Sequence, residues 1–490
     1  MEHKKYNIVK NLFFSSISTL TTFLLFLLLT FLGRILGSSE YGVFTTALSI
    51  ATIFEMFTDF GLRDISIRNV SRNKHETEKY IGNLLIWKIL LGFVVYAVML
   101  IVVNILGYEG KIKTIIYILT ISSFLKNMKY TFRIFFQAHD SFGWDTLLVV
   151  IERVSLLGFG LAVLFRWKSL MPFTICFASV RVVDFLITLI VLRFKISPIK
   201  LHFNFRFMKN LQIEAFPLGL FFVILTLFSY IDTVMLSLMR TYSEVGLYNA
   251  AFKIYEGITI VPTIFWLVFL PRLSELYTIN QDHHRGLAIR GVRYMFMTGL
   301  PTLTYGIILS GFLIRFFFQQ EFEGAILTLQ ILFFGIAFQY PNWMLNATLI
   351  SINKQKVMMV LGLFSLIMKI GLNLILIPAY GYNGSAVATV ISELFLFVGL
   401  SIYLFNHRIK LPIGELTVKP LLASLIVYML FKLFPMIPMI PMIVMSAAIY
   451  VVSLWLMKGF YPDEIDTILR NAHILIKRTG LIKRSAEKSE

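Results

Sequence analysis

Lys126, Lys129 and Arg133 sit at i, i+3 and i+7 in an otherwise apolar stretch, so a helix there carries three cations on one face. Lys88, Arg153 and Arg181 lie in neighbouring apolar stretches. Ionisable groups at membrane depth are costly, and by default they line a cavity or pair with one another. The chemistry these six offer is charge-assisted hydrogen bonding to phosphate oxygens, bidentate in the case of Arg. Four acids, Glu55, Asp59, Glu152 and Asp184, accompany them and leave a mild cationic surplus. The same residues also fit a set of helix-bridging ion pairs with no ligand, with Arg181 and Asp184 paired along one helix. Lys126 and Lys129 are the strongest candidates for a ligand, because no acid shares their helix. Arg133 lies close enough to the inner surface to be an ordinary boundary residue.

The second half of the chain carries a different set: Asp232, Lys253, Glu256, Lys369 and Glu393. Lys253 and Glu256 are i, i+3 neighbours able to neutralise each other, as are Lys369 and Glu393 across helices. A coupling-ion or proton site needs a carboxylate that changes partner or protonation, for which Asp232, Glu256 and Glu393 are the candidates. Gln339, Asn342, Asn346 and Asn353 share a tenth helix that Pro341 is expected to break. Amides there suit sugar hydroxyls, and a broken helix often marks a transport site; capping of neighbouring helices is the other use. Pro217 and Pro262 are expected to kink their helices. The single cysteine, Cys176, allows no intramolecular disulfide and argues against a Cys-based metal site. The histidines have no metal-ligand spacing, and His283 and His284 fall in a charged segment expected to be solvated. No metal or cofactor is implied.

These residues require apolar helices to hold them. Fourteen stretches long enough to cross a bilayer run from Val9 to Met457 in a chain that is 57% hydrophobic, with a mean hydropathy of +0.78. The longest polar segments, 63–79, 272–293 and the tail after Phe460, are too short for a catalytic domain. The apolar run behind Met1 exceeds a signal h-region, so it is expected to stay as a first membrane helix. The net charge of +18 is distributed as a topology signal rather than a nucleic-acid footprint. With the N-terminus in the cytoplasm, the outward connections hold only Arg34, Lys111, Lys113, Arg166, Lys168, Arg240, Arg315 and Lys432. That bias satisfies the positive-inside rule with both termini inside, which an even helix count requires.

The chain also repeats itself. Residues 39–50 (SEYGVFTTALSI) and 243–254 (SEVGLYNAAFKI) share Ser, Glu, Gly, Ala and Ile at a constant offset of 204, each at a helix start after an outward turn. Parallel repeats of this kind make two similar lobes. The expected organisation is an N-lobe over 1–205 and a C-lobe over 206–410, each of six helices. Two further helices follow in 411–460, then a basic amphipathic tail over 461–490. In that tail Ile465, Ile468, Leu469, Ala472 and Ile476 recur at helical spacing, as in a helix lying along the membrane surface.

The segment Leu32-Gly33-Arg34-Ile35-Leu36-Gly37-Ser38-Ser39-Glu40-Tyr41-Gly42-Val43-Phe44, followed by Asp59-Phe60-Gly61-Leu62, resembles the polysaccharide transporter family. These are the O-antigen-type flippases of lipid-linked oligosaccharides. They belong to the multidrug/oligosaccharidyl-lipid/polysaccharide exporter superfamily, with the lipid II flippases and the multidrug and toxin extrusion antiporters. The resemblance extends over the chain through helix count, repeat and the two extra helices. It implies two six-helix lobes around a central cavity in the cytoplasmic membrane. It also implies alternating access on undecaprenyl- or dolichyl-linked sugars. Membrane lipids and assembly proteins such as a polysaccharide polymerase are the implied partners, with no role for nucleic acid.

Two other readings stand beside it. A drug or organic-cation antiporter needs unpaired acids in an apolar cavity; Asp232 and Glu256 keep it open, and the basic first half argues against it. A membrane polymerase or ligase needs a large outer loop, and every outer connection is short. No nucleophile–base motif accompanies them, so the chain reads as a non-enzyme.

Overall fold

The structure is a computed structural model that describes residues 20–461 together with Ile17 and Glu464. The amphipathic segment read in the tail, and the first residues of the chain, lie outside the described residues. Among those described there are helices and turns but no strand. In a bilayer every backbone N–H and C=O must be satisfied within the segment, which helices do.

The helices are α1 (Thr22–Asp59), α2 (Leu62–Arg72), α3 (Thr77–Ile105), α4 (Gly110–Ala138), α5 (Phe142–Trp167), α6 (Leu170–Lys195) and α7 (Phe205–Met239). They continue as α8 (Tyr242–Ile258), α9 (Ile260–Ile279), α10 (Gln281–Phe318), α11 (Ala325–Ser351), α12 (Gln355–Asn406), α13 (Ile413–Leu433) and α14 (Met439–Leu456). Among the described residues, eleven helical stretches are long and apolar enough to cross a membrane; α8 and α9 together form one, and α4 with its five cations falls outside the set. Phe93, Ile105, Phe194 and Ile375 are among many large apolar side chains left exposed along them, as suits a lipid solvent.

Several expected breaks are absent or displaced. α1 and α12 each run through two expected helices, interrupted only by Gly37 (φ 82°, ψ 174°) and Gly381 (φ 60°, ψ −141°). Gly37 takes a conformation that a Cβ disfavours. The carboxylate of Glu321 accepts a hydrogen bond from the Ser38 N–H beyond the break at 2.6 Å. It thereby serves as an N-cap for the second half of α1. The segment 63–79, expected as a loop, contains α2, whose Leu62, Ile65 and Val70 are buried against Met128, Phe132, Phe135 and Met208. Its polar residues occupy the opposite face, so the apolar stripe shows only as a short 3.6-residue period. The segment 272–293 is likewise helical on both sides of Asn280. α11 continues through Pro341 instead of breaking there. α8 and α9 meet at Thr259, three residues before Pro262, close to the expected kink.

The described chain packs as two compact units, each discontinuous in sequence. One contains the described residues up to Ile260 with Ser310–Gly335 and Asn353–Leu400; the other contains Val261–Leu309, Ile336–Ile352 and the described residues from Ser401 onward. In the first unit the two repeated motifs lie against each other. A Cβ on Gly42 would stand 1.8 Å from the Tyr242 carbonyl oxygen, and one on Gly246 would stand 2.0 Å from the Ser38 carbonyl oxygen. Small residues at a helix crossing allow such backbone contact. The hydroxyls of Ser38 and Ser243 are 2.8 Å apart beside it. In the second unit Met297, Ala423, Val427, Tyr450 and Leu454 form a core, and the Tyr450 hydroxyl donates to the Met297 carbonyl at 2.7 Å.

Candidate functional site

Four of the six cations, one on α3 and three on α4, meet acids of α1, α5 and α6. Lys88, fully buried, donates to Asp59 Oδ1 at 2.5 Å and Asn127 Oδ1 at 2.6 Å, and also to the Thr131 hydroxyl. Lys126 pairs with Glu55 at 2.7 Å. Lys129 sits between two carboxylates, Glu152 at 2.9 Å and Asp184 at 2.5 Å, and also donates to the Leu148 carbonyl at 3.0 Å. Arg133 grips Asp145 in a two-point contact, Nε to Oδ1 at 2.5 Å and an Nη to Oδ2 at 3.1 Å. The lack of an acid on α4 itself was therefore no guide to isolation, because α1, α5 and α6 supply the partners. Asp184, read as a partner of Arg181 along α6, is engaged by Lys129. Arg133 is no simple boundary residue, since both it and Asp145 are buried.

Arg153 and Arg181 differ from the other four. Each is buried, at 7% and 3% exposure, and neither has a carboxylate within salt-bridge distance among the described residues. Arg153 donates to the Tyr130 hydroxyl at 3.1 Å. Arg181 reaches the Ser122 hydroxyl at 3.4 Å and lies 4.3 Å from the Phe177 ring centroid. Nε and one Nη of Arg153, and Nε of Arg181, are buried with no hydrogen-bond acceptor among the described residues. Unmade donors of this kind cost free energy unless something fills them. Glu55, at one edge of the cluster, also lines a mainly apolar recess of about 340 Å³ with Phe54, Thr58, Phe93, Tyr96 and Phe124.

The acids of the second half are tied down differently. Asp232 is fully buried and accepts from Tyr248 at 2.7 Å, Asn373 at 2.7 Å and Thr389 at 3.0 Å. Its ion-pair partner is Lys369 at 2.7 Å, which corrects the pairing of Lys369 with Glu393. Lys369→Met should destabilise the protein by about 1.5–3 kcal/mol, the worth of a hydrogen bond to a charged group, because three donors remain on Asp232. A thermal melt in detergent tests this, and an unchanged midpoint would contradict it. Glu256 pairs with Lys253 at 2.6 Å as expected, and its side chain is 43% exposed. Glu393 is buried. Gln339, Asn342 and Asn346 belong to the second unit; Asn342 is buried and the other two are half-buried. Asn353 lies beyond the end of α11 with φ of 58°, so it does not share their face. His284 is buried and bonded to Ser351 at 2.8 Å, contrary to the solvated expectation.

Sequence reasoning missed Asp145, Tyr130, Asn127 and Thr131. The signal available for Asp145 was opposite charge at similar distances either side of the turn 139–141 that joins α4 to α5. Asn127 and Thr131 share the i, i+4 spacing that lets both reach one partner.

The fold is that of a multi-pass membrane transporter. It superimposes on lipid II flippase MurJ in an inward closed conformation with a TM-score of 0.77 and 17% identity, covering 93% of this chain and all of that one. An inward-facing multidrug resistance MATE transporter of the MOP superfamily aligns at 0.65 with 16% identity, covering 81% and 98%. The chain belongs to the polysaccharide biosynthesis protein family, whose model matches residues 8–277; the lipid II flippase MurJ model matches residues 154–461. A Shigella flexneri protein named as an O-antigen transporter is 22% identical over 74% of this chain and 88% of its own length. Agl15 of Haloferax volcanii, named as a low-salt glycan biosynthesis flippase, is 22% identical over 75% and 77%. Family and relatives are those of transporters, not of enzymes.

Proposed function

We infer that the protein is a flippase that carries a polyprenyl-(pyro)phosphate-linked oligosaccharide from the inner to the outer leaflet by alternating access, for cell-surface polysaccharide or glycan biosynthesis. Family membership and relatives named for O-antigen and glycan transport support this reading over the multidrug antiporter. The observation that carries the substrate side is the pair Arg153 and Arg181. In a cluster whose other four cations are neutralised, these two guanidinia keep buried, unused N–H donors suited to phosphate oxygens. Lys88, Lys126, Lys129 and Arg133 hold the vestibule's shape rather than its ligand. Asp232 acts as an anchor, and Glu256, with its exposed side chain, is the better candidate for ion coupling. The amides Gln339, Asn342 and Asn346 remain the candidates for sugar contact.

Counting both halves of α1 and of α12, together with α4, as crossings gives fourteen, an even number that leaves both ends on one side, and the basic bias of the inner connections supports the cytoplasm as that side. The lobes are 1–205 and 206–410, with α13 and α14 outside them. A membrane potential supplies ~2.3 kcal/mol per charge per 100 mV, so a pyrophosphate with about two negative charges gains roughly 4–5 kcal/mol on outward transfer. A dedicated coupling ion is therefore optional. A polysaccharide polymerase is the natural consumer of the product, and no catalytic step is assigned to this chain.

The test is a leaflet-flipping measurement in proteoliposomes with a fluorescent polyprenyl-diphosphate oligosaccharide. Loss of charge-assisted hydrogen bonds in Arg153→Gln/Arg181→Gln should slow flipping by roughly ten- to a hundredfold. The melting temperature should fall less than in Lys129→Ala, because no direct salt bridge among the described residues is broken. Unchanged flipping would remove these two residues from the site and leave the flippase reading standing. Exchange of organic cations for protons, with no glycolipid movement, would replace that reading with the antiporter.

A further inference from the structure

We propose that Arg63, in the first turn of α2, is a further phosphate-binding residue, and that Tyr130 is the positioning residue that sets it beside Arg153; on the flippase reading above, the phosphates are those of the lipid-linked sugar. Three guanidinia surround Tyr130. Its hydroxyl accepts from Arg153 at 3.1 Å, and its ring centroid lies 5.8 Å from the Arg63 guanidinium carbon and 5.0 Å from that of Arg133. An aromatic ring attracts a guanidinium without consuming its N–H donors, so a cation held this way can still bind an anion. Arg133 is committed to Asp145. Arg63 is half-buried, with neither a carboxylate in salt-bridge distance nor a hydrogen bond among the described residues. Asp59, the acid that precedes it at the end of α1, is taken up by Lys88.

The backbone fixes where Arg63 stands. Phe60 and Gly61 both take left-handed conformations, with φ of 41° and 81°, and turn the chain from α1 into α2. A Cβ on Gly61 would lie 2.7 Å from the Ala215 carbonyl oxygen, so this turn is seated directly on α7. Leu62, Ile65 and Val70 already anchor α2 in the core, and the helix does not need the guanidinium to hold it. In the fourteen-crossing topology α2 follows the inner end of α1, whereas Arg153 lies about three turns into α5. A phosphate arriving from the cytoplasm therefore meets Arg63 first and Arg153 next, and both touch the same tyrosine. The buried Nε and free Nη of Arg153 and the unused fork of Arg63 offer donors at two neighbouring positions. A diphosphate can engage both at once, and a single phosphate only one.

The experiment titrates full-length protein in detergent with inorganic pyrophosphate and with inorganic phosphate, by calorimetry. Pyrophosphate should bind roughly tenfold more tightly than phosphate. Arg63→Gln should weaken pyrophosphate binding roughly tenfold, and Arg63→Lys should regain part of the loss, since the charge returns without the fork. Tyr130→Phe keeps the ring and removes the hydroxyl, and should weaken binding roughly threefold. Arg72→Gln removes the same charge from the exposed end of α2 and should change affinity less than about twofold, which separates contact from general attraction. In the flipping assay Arg63→Gln and Tyr130→Phe should raise the glycolipid concentration needed for half-maximal rate and leave the maximal rate near wild type, a split that a purely structural role would not produce. No pyrophosphate binding by wild type, wild-type affinity in Arg63→Gln, or an equal loss in Arg72→Gln would overturn the proposal. Flipping by wild type that Arg63→Gln leaves unchanged would remove Arg63 from the path and keep the flippase reading. The pyrophosphate pattern without any glycolipid flipping would keep the anion site and remove that reading. Should Arg63→Gln fail to fold, Arg63→Lys and Tyr130→Phe still decide the matter.

Discussion

Replacing Lys129 with alanine is expected to destabilise the protein by about 3–5 kcal/mol, the cost of stripping the partner from a buried charge. Lys129 is 1% exposed and lies between Glu152 and Asp184, themselves almost entirely buried. Without the ammonium, two carboxylates would face each other in a medium too poor in water to screen them. Neutralising the acids as well, in Lys129→Ala/Glu152→Gln/Asp184→Asn, should restore a large part of the loss, because the penalty belongs to the uncompensated charges. Lys126→Ala should cost clearly less, since Lys126 is 18% exposed and meets a single carboxylate. Thermal unfolding of the four proteins in one detergent checks the order. A Lys129→Ala variant as stable as wild type would mean that Lys129 is no structural clamp and would return it to the ligand side of the site.

The second large effect is expected at the glycine crossing between α1 and α8. Both atoms that a new Cβ would strike belong to the backbone, the carbonyl oxygens of Tyr242 and Ser38, so no rotamer change relieves the overlap. Gly42→Val must therefore separate the two repeated motifs. Overpacking costs about 1–3 kcal/mol, enough to shift a packing equilibrium by roughly five- to over a hundredfold. Ser38→Cys/Ser243→Cys in a Cys176→Ser background reports it, because the two hydroxyls are 2.8 Å apart. The pair should cross-link readily with glycine at 42 and at least about tenfold less with valine there. Equal cross-linking would show that the crossing tolerates a side chain and that the motif repeat is not maintained by close contact.

The charge cluster separates what a linear chain displays from what it conceals. Lys126, Lys129 and Arg133 stand out because cations are rare inside apolar stretches, and their positions were legible at once. Their partners were not. Lys126 turns to α1, Lys129 to α5 and α6, and Arg133 to the start of α5, so residues on one helix face meet three different neighbours. Which cations are neutralised depends on which helices are adjacent, and apolar periodicity carries no record of adjacency. Arg153 and Arg181 consequently changed rank, from two of six candidates to the pair with open donors. The capping of the Gly37 break by Glu321, 284 positions further along the chain, was equally out of reach.

The sequence by itself determined the membrane class, the long apolar stretches, the family pattern around Gly37 and Gly42, and the repeat at an offset of 204. Those properties follow from local composition and spacing, because a bilayer demands about 20 apolar residues per crossing wherever it is crossed. Only the tertiary structure decided that the two repeated motifs touch, that α2 is a helix closing over the Phe132–Phe135 core, and that Asp232 rather than Glu393 holds Lys369. Contacts of this kind are selected by the free energy of burying charges and filling space among helices distant in sequence. That free energy is defined only once the chain has packed.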